Sequence, residues 1–426
     1  MKLNYKRTFL IGFAFLSISA FWQLYDSIVP LILKNTFKMG ETITGAIMSI
    51  DNILALFLLP LFGAWSDRVD TRFGKRMPFI VLGTVAAVIF MMLIPLADNT
   101  VNFPLFFIAL GMTLLAMGTY RSPAVALMPD LTPKPLRSKA NAVINLMGAV
   151  GYIFALMAIR LLVKKDANPD YTAVFAVVAF LMVVSVAILV AAIREKKLAA
   201  RIAEEYPEDE EADKGKGSST GPLPRDVRKS LVFLLASIFL WFTAYNAVTT
   251  AYSRYAGEVW GLRGGSFADS LMIAGAAAIV SYIPIGMIAS AIGRKKTIII
   301  GILMMSASYF CGFLFVKYSP LINVVFAFTG FGWSAINVNS YPMVVEMSRS
   351  GDVGKYTGYY YTFSMAAQVF TPIFSGFLLE KISYRTLFPY AVVFSLLSLC
   401  TMLMVKHGDS RPPRRKSRLE EFDVAD

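Results

Sequence analysis

The sequence predicts an all-α membrane protein with twelve transmembrane helices, arranged as two pseudo-symmetric bundles of six. Hydrophobic residues make up 56% of the 426 residues and charged residues only 16%, against roughly 25% charged residues in a soluble domain. Twelve apolar runs each approach the roughly 20 residues that cross a bilayer. One long polar stretch separates six of these runs from the other six.

The apolar runs give the positions of the predicted spans. Backbone N–H and C=O groups in lipid must bond within their own segment, so each run is expected to be a helix. Spans 1 to 12 are 8–33, 43–65, 77–97, 104–128, 139–162, 171–193, 229–253, 267–290, 296–316, 320–346, 357–379 and 386–405. They divide the chain into an N-terminal bundle (1–193), a linker (194–228), a C-terminal bundle (229–405) and a tail (406–426).

Lysine and arginine indicate the orientation of the spans, because they collect in cytoplasmic loops. They precede span 1 and fill the loops after spans 2, 4, 8 and 10, whereas DNTVNF after span 3 has none. Lys34, Lys38, Lys164 and Lys165 are exceptions on the opposite side. The first apolar run is too long for a signal peptide and is interpreted as a retained helix. We therefore predict a multi-pass protein of the plasma (cytoplasmic) membrane with both termini in the cytoplasm.

The composition excludes several classes of protein. One histidine, His407, and two cysteines, Cys311 and Cys400, argue against a histidine-ligated metal site, a Ser-His-Asp triad and a disulfide framework. The sequence has no phosphate-binding G-x-x-x-x-G-K-[ST] loop. The net charge of +13 follows from cytoplasmic anchoring and does not require a nucleic-acid partner. We expect no enzyme activity, no cofactor and no metal.

The polar linker has three parts. It begins with the helix-like REKKLAARIAEEY, turns acidic in PEDEEAD and ends in the small residues of KGKGSSTGP. A regulatory arm and a solvated cytoplasmic connector are both open interpretations, and the composition favours the connector.

Short motifs repeat in the two halves. GAWSDRVDTRFGKR follows span 2 and GMIASAIGRKK follows span 8, and their first residues lie 286 − 63 = 223 positions apart. SPAVALMPDLTP ends span 4 and NSYPMVVEMSRS ends span 10, each with a proline followed by an acid, Asp130 or Glu346. A parallel duplication of six helices is typical of secondary transporters.

Two of these stretches resemble the signatures of a known family. SDRVDTRFGKRMPFI is similar to the loop 2–3 motif of the major facilitator superfamily, in the form found in sucrose-type carriers and glycoside–pentoside–hexuronide:cation symporters. SPAVALMPDLTPKPLRSKANA resembles their span 4 exit, G-P-A-R-A-L-L-A-D-L-[ST]. The resemblance implies the major facilitator fold and transport by alternating access.

The chain departs from this pattern at two places. Sucrose carriers have an arginine where this chain has Val125, and its intramembrane arginine is Arg121 instead. Arg121 also stands where the melibiose-carrier branch has an acid that helps to hold Na⁺, and the span 2 carboxylates of that branch fall near Ala55 and Leu59. A guanidinium at a cation site is costly. We therefore expect proton coupling or uncoupled transport.

The resemblance also implies a cytoplasmic gate. Asp67 would face Arg76 and the positive N-terminus of span 11 near Thr357, and this latch between the halves would hold the outward-facing state. The predicted gate comprises Gly63, Asp67, Arg68, Arg72, Gly74, Lys75, Arg76, Asp130, Gly293, Arg294 and Glu346.

Ionisable residues within spans are costly to bury and are therefore candidates for function. Asp26 lies in the middle of span 1, with Trp22 one turn before it, and an acid beside a ring suits a sugar. A place in the outer aromatic belt is the alternative. Asp51 and Arg121 are opposite charges in spans 2 and 4. A proton-switched pair and a permanent salt bridge both explain them, and we predict Asp26, Asp51 and Arg121 as the proton-coupling residues.

Polar and aromatic residues cluster in spans 1, 4, 7 and 10, which line the cavity in the superfamily. The predicted substrate-binding residues are Trp22, Gln23, Asp26, Tyr120, Arg121, Asn145, Tyr245, Asn246, Trp333, Asn337 and Gln368. Helix packing is the alternative for each. At the outer ends, Arg160 is interpreted as structural, whereas Asp269 and Arg254 suit a rim or a gate equally.

The sequence thus predicts a secondary active transporter for a small polar solute, with a sugar or glycoside such as a disaccharide as first choice. Proton-coupled symport is the preferred mechanism, and a monomer in contact with membrane lipid is the expected form. An exporter of amphiphilic compounds is the alternative within the same class. A membrane-embedded binding or receptor protein is the alternative from another class.

Overall fold

The computed structural model describes residues 3–133, 137–166, 168–205, 224–347 and 353–409. These residues form thirteen α-helices: α1 Tyr5–Asn35, α2 Glu41–Arg68, α3 Met77–Asn99, α4 Phe103–Asp130, α5 Arg137–Leu162, α6 Thr172–Ala192, α7 Glu195–Glu205, α8 Arg225–Trp260, α9 Ala268–Ile292, α10 Arg294–Leu314, α11 Ile322–Glu346, α12 Val353–Lys381 and α13 Leu387–Leu403. Two 3₁₀ helices, Gly264–Phe267 and Tyr384–Thr386, precede α9 and α13. Helices α1–α6 are spans 1–6, α8–α13 are spans 7–12, and α7 lies in the linker.

The long helices are those of a multi-pass membrane protein. Eleven of them are long and apolar enough to cross a bilayer by length and composition. The remaining long helix, α11, has 25 residues but carries Asn337 and Asn339 in its second half. Apolar side chains cover the outside of the bundle; Val280 and Ile283, for example, are 73% and 79% exposed. Such a surface is stable in lipid rather than in water.

Local signals explain where several helices begin and end. The side chain of Asn102 caps α4 by accepting a hydrogen bond of 3.1 Å from the backbone N–H of Leu105. Pro78 and Pro104 occupy the first turns of α3 and α4, where a missing N–H is harmless. Gly261 ends α8 with φ +66°, in the left-handed region that favours glycine.

The helices pack as two bundles of six. In the first half α1 packs on α5 and α6, and α3 packs on α4; in the second half α11 packs on α9 and α10, and α8 packs on α12 and α13. The halves meet mainly through α2 with α12 and through α5 with α9. The polar groups between α1, α2, α4, α8 and α12 therefore lie where the halves face each other.

The helices run slightly beyond the predicted spans, because a helix can continue into the polar region with its backbone still bonded. The bundle predicted for 229–405 begins at Arg225, inside the predicted linker. The helix-like start of the linker is α7, whereas linker residues 206–223 and tail residues 410–426 lie outside the described residues. We call the end of the bundle with Asp67 and Arg76 the inner end, and the end with Glu41 and Arg254 the outer end.

Candidate transport site

A charged cluster lies midway along three helices of the first half. Asp51 on α2 and Arg121 on α4 line one small cavity with Trp22 of α1. The cavity walls are Trp22, Asp51, Leu54, Ala55, Leu58, Leu59, Leu114, Gly118 and Arg121. The Arg121 guanidinium lies 5.5 Å from the centre of the Trp22 ring, within the range of a cation–π interaction. Three of the predicted residues therefore meet at one place.

The charges of this cluster interact without a direct ion pair. Asp26 on α1, Asp51 and Arg121 are close enough for each charge to act on the others. Among the described side chains, however, no ion pair within 4.0 Å joins Asp51 to Arg121; Asp51 instead accepts a hydrogen bond of 2.8 Å from Asn52. The predicted pair is thus brought together but not closed in this conformation.

Two residues predicted to bind substrate take part in helix packing. Tyr120 has no exposed surface; its hydroxyl donates to the Ala14 carbonyl at 2.9 Å and also bonds to Ser17, so it ties α4 to α1. Gln23 is 7% exposed and donates to Ser27, one turn along the same helix, at 2.7 Å. Both side chains thus have hydrogen-bond partners inside the first half, and their contact with substrate stays a prediction.

The second half contributes aromatic rings and amides. Tyr245 of α8 and Trp333 of α11 stack with ring centres 3.7 Å apart and planes 6° from parallel, and Phe242 meets the Trp333 ring edge-on at 5.2 Å. The Asn246 amide nitrogen is buried with no hydrogen-bond partner among the described residues. The Trp22 ring nitrogen across the interface is in the same condition. These donors are available to a ligand.

Three tyrosines that could not be selected from the sequence alone belong to this region. The charge of Asp26 acts on Tyr152 of α5 as well as on Tyr245. Tyr282 of α9 is within hydrogen-bonding reach of Asn337, and Tyr361 of α12 is close enough to interact with Arg121. A tyrosine within a span is equally typical of the aromatic belt, so only the three-dimensional arrangement distinguishes them.

The remaining predicted residues lie less centrally. Asn145 on α5 is exposed. The Gln368 amide of α12 donates to the Ser364 carbonyl of its own helix at 3.3 Å. Neither residue lines the small cavity of the charged cluster.

At the inner end, the Arg76 guanidinium binds two acids of its own half. Its Nε donates to Asp130 of α4 at 2.8 Å, and its terminal nitrogens bond to Asp67 and Ser66 of α2. Burial alone would lower the pKa of Arg76, but the hydrogen bond and charge of Asp130 and the charge of Asp67 raise it. Arg76 therefore stays protonated and braces α2 against α4.

Other predicted gate residues shape the same loop. Gly74 has φ +118°, which favours glycine, and the Gly63 carbonyl accepts from Arg76 at 3.3 Å. Arg68, Arg72 and Lys75 are exposed, as expected for anchoring charges. The side chain of Thr357, which the predicted latch would approach, lies outside the described residues.

The second half has a matching pair. Arg294, the first residue of α10, forms an ion pair with Glu346 at the end of α11. It follows Gly293, which has φ +99°. The pair occupies the place that Arg76 and Asp130 occupy in the first half, as expected from the sequence repeat. Each of these described ion pairs joins residues of one half.

At the outer end, buried charges join the two halves. Arg254 of α8 donates to Glu41 of α2 at 2.6 Å, and these side chains are only 5% and 4% exposed. Glu41 also accepts from the Tyr384 hydroxyl. Lys34 of α1 donates to that hydroxyl at 2.6 Å and pairs with Glu258 at 2.7 Å. Lys34, an exception in the charge pattern, thus has partners in the second half.

Further polar contacts close the same end. Arg160 of α5 pairs with Asp269 of α9 at 2.8 Å. Glu380 of α12 accepts from the backbone N–H of Thr42 at 2.9 Å. Arg160, Asp269 and Arg254 are therefore contacts between the halves rather than isolated rim groups.

Close backbone packing accompanies these pairs. A Cβ atom on Gly45 of α2 would lie 2.0 Å from the Pro372 carbonyl oxygen of α12, and one on Gly376 would lie 2.5 Å from the Glu41 carbonyl oxygen. Ser49 donates to the Val369 carbonyl at 2.9 Å. The outer ends of α2 and α12 are thus in direct contact, and the structure is closed at its outer end.

Sequence comparisons give one family and several partial relatives. Residues 11–283 and 266–424 match the family model of the Major Facilitator Superfamily. Sucrose transport protein SUC3 of Arabidopsis thaliana is 28% identical over 156 residues, or 32% of this chain and 26% of that protein. Proton-associated sugar transporter A of Homo sapiens is 35% identical over 83 residues, or 18% of this chain and 11% of that protein. These matches span about a quarter and about a tenth of the curated relatives.

Solved transporter structures share the architecture. The inward open xylose transporter XylE from E. coli superposes with a TM-score of 0.70 at 16% identity, covering 98% of each chain. A POT family transporter in complex with a thioalcohol conjugated peptide gives 0.71 at 11% identity, covering 94% of this chain and 95% of that one. At these identities the likeness shows the fold alone, and it confirms the predicted twelve-helix architecture.

Proposed function

Because the chain belongs to the major facilitator superfamily, we propose that it is a secondary active transporter that carries a sugar or glycoside by alternating access. The two halves rock about the cluster between them, which lies near the middle of the membrane. Proton symport is the proposed mode.

The observation that carries this proposal is the composition of the central site. One wall presents Asp26, Asp51 and Arg121 beside the Trp22 ring. The facing wall presents the Tyr245–Trp333 stack and the amide nitrogen of Asn246, which has no hydrogen-bond partner among the described residues. Carboxylate, guanidinium and amide groups bond hydroxyls, and aromatic faces take the C–H surface of a sugar ring. A polyhydroxyl ligand uses both features.

The relatives support the same substrate class. The two relatives described above are, by name, a sucrose transport protein and a proton-associated sugar transporter. Their matched segments are partial, so the site residues and not the alignments carry the choice of a sugar.

Proton coupling is supported by the arrangement of the charges. Asp51 shares its cavity with Arg121 and makes no direct ion pair with it. Protonation of Asp51 would weaken its attraction to Arg121 and free the guanidinium for substrate. Within the described part of the chain no group of three or more His, Cys, Asp or Glu residues could hold a metal ion. The guanidinium next to Asp51 opposes a bound Na⁺ by Coulomb repulsion.

We further propose that the protein is a monomer in the plasma membrane, with both termini in the cytoplasm. The clustering of basic residues around Arg76 and Arg294 supports this orientation.

The decisive experiment is uptake by proteoliposomes of radiolabelled mono- and disaccharides, glycosides and amphiphiles under an imposed ΔpH. We expect accumulation of at least one sugar. Folded protein that responds only to amphiphiles would contradict the sugar proposal. A thermal-shift screen selects the probe, because a ligand at 100 times its Kd stabilises the folded state by about 2.7 kcal/mol.

Asp51→Asn separates coupling from binding. The variant should lose ΔpH-driven accumulation but keep counterflow exchange, because the amide preserves shape and removes the titrating group. Asp166→Asn, at an exposed loop position, is the matched control. Unchanged ΔpH-driven uptake by Asp51→Asn would remove Asp51 from the coupling role.

Replacing NaCl with choline chloride tests the choice of ion. Transport should be unaffected, and a strict Na⁺ requirement would overturn proton coupling.

A further inference from the structure

The linker begins with a buried carboxylate that reaches back to the inner gate. Glu195, the first residue of α7, is only 4% exposed. Its two oxygens accept hydrogen bonds from the backbone N–H groups of Lys75, Arg76 and Met77, at 2.8, 2.9 and 2.9 Å. In a solvated connector an acid would be exposed to water, so the burial of Glu195 indicates a specific role.

The three donors are the start of α3. The first N–H groups of a helix have no partner within it, and Arg76, at the N-cap, makes no side-chain capping bond. A carboxylate satisfies these donors and complements the positive end of the helix dipole. Glu195 therefore caps α3 from a distance of more than a hundred residues along the chain.

Gly74 is shaped to admit this carboxylate. A Cβ atom on Gly74 would lie 2.3 Å from the Glu195 carboxyl carbon and 2.7 Å from the Glu195 Cβ atom, so the Glu195 side chain would have to shift. The turn before it is closed by hydrogen bonds between Thr71 and Gly74, including one of 2.7 Å from the Thr71 hydroxyl. The glycine of the loop motif is thus required by packing against Glu195 as well as by its positive φ.

The cap acts on the residue whose side chain forms the inner cluster. The Arg76 backbone is held by Glu195, while its guanidinium lies between Asp67 of α2 and Asp130 of α4. Fixing the backbone fixes the direction from which the guanidinium approaches both acids. Since Glu195 also starts the linker toward the second half, the connection between the halves is fastened to the gate at this point.

We propose that Glu195 is the positioning residue of the inner gate, holding Arg76 in register with Asp67 and Asp130. Only the transport part of its test rests on the proposed function. The variants are Glu195→Ala, Glu195→Gln and Glu195→Asp. Glu204→Gln is the matched control, because Glu204 is exposed on the same helix.

The first measurement needs no substrate. Spin labels at Tyr5 and Lys229, exposed positions at the inner ends of the two halves, report the separation of those ends in a background with both cysteines replaced by serine. Loss of the cap should release Arg76 from Asp67 and Asp130. Asp67 is the acid of the proposed latch between the halves, so the inner ends should close less often and Glu195→Ala should shift the distances toward the longer population. Glu195→Asp should restore part of the shorter population, and Glu204→Gln should match the parent.

The second measurement is sugar uptake in proteoliposomes. Glu195→Ala should lower the maximal rate about tenfold, as expected for the loss of bonds to a charged acceptor, with less than about a twofold change in half-saturation. Unchanged distances and rate in Glu195→Ala, or a loss of affinity equal to the loss of rate, would overturn the proposal. If the alanine variant does not fold, Glu195→Gln, which keeps one acceptor oxygen, decides by the same criteria. Absence of sugar uptake by the wild type contradicts the proposed function, while the distances still test Glu195.

Discussion

Charged side chains concentrate at both ends of the bundle. Among the ion pairs between described residues, several at the outer end join the two halves, whereas those at the inner end lie within one half. The outer pair, Glu41 with Arg254, crosses between α2 and α8 and is almost fully buried. The inner pairs of Arg76 with Asp67 and of Arg294 with Glu346 stay within one half and are partly exposed. The ion pairs that cross between the halves therefore hold the outer end closed. The more deeply a pair is buried, the more its loss should change the stability of the protein.

The largest effect is expected from breaking the outer pair. Arg254→Met removes the buried cation closest to Glu41, which then keeps only Lys34 at 3.6 Å and the Tyr384 hydroxyl. Breaking a buried pair by removing one partner costs up to about 3–5 kcal/mol. The outer ends should separate, as measured by the distance between spin labels at the exposed positions Val101 and Val316, and the unfolding temperature should fall.

The double variant Glu41→Leu with Arg254→Met should recover most of the stability, because no unpaired charge remains. If the single variant kept the outer distance and stability of the parent, the outer pair would not hold the halves together.

The second largest effect is expected from changing the close contact between Gly45 of α2 and Pro372 of α12, near the outer pair. Gly45→Ala should force α2 away from α12, because its Cβ would lie 2.0 Å from a carbonyl oxygen, and overpacking costs about 1–3 kcal/mol. The Val101–Val316 distance should lengthen. Gly111→Ala is the control, since its Cβ would meet nothing within 4 Å; equal behaviour of the two variants would contradict close packing as the cause.

A smaller effect is expected at the inner end. Asp67→Asn removes one charge from Arg76, which keeps Asp130, and the Asp67 side chain is 61% exposed. The loss should be about 1 kcal/mol, seen as slower uptake with unchanged half-saturation. Glu346→Gln makes the corresponding change in the second half. A large loss of substrate affinity in Asp67→Asn would place this acid in the binding site instead of the gate.

The smallest effect is expected for a surface pair near the same loop. Lys196 binds Asp70 at 2.9 Å, with side chains 54% and 65% exposed. Lys196→Ala should change stability by about 0–1 kcal/mol, so the unfolding temperature should hardly move. A large drop would show that exposure is a poor guide to the strength of these pairs.

The fold could be predicted almost completely because its signals are local. Each span is an apolar run that can be recognised without its neighbours, and the two halves are divided by a polar linker. The motif around Asp67 and Arg76 identified the superfamily, which the family match confirms. Asp51 and Arg121 could be selected as candidates because charges within spans are rare, and the structure places both beside Trp22 in one cavity.

The outer network could not be predicted, because its partners are far apart in the sequence. Lys34 meets Tyr384 across 350 positions, and Glu41 meets Arg254 across 213. Glu195 was hidden in a run of charges in which a buried acid looks like its solvated neighbours. The contacts of Tyr120 could not be predicted either: a tyrosine beside Arg121 suggests a binding site, but its position on α4 directs its hydroxyl to the Ala14 carbonyl of α1.

The polar character of α11 has a consequence for how the chain enters the membrane. The Asn339 side chain is 3% exposed and donates a hydrogen bond of 2.8 Å to the Ala335 carbonyl. Among the long described helices, α11 is the one whose composition is not apolar enough to mark it as a membrane span. It packs against α9 and α10, so these helices cover its polar side chains and shield them from lipid. During synthesis α11 is therefore expected to leave the translocon together with its neighbours, and a chain without α9 and α10 would release it to the aqueous side.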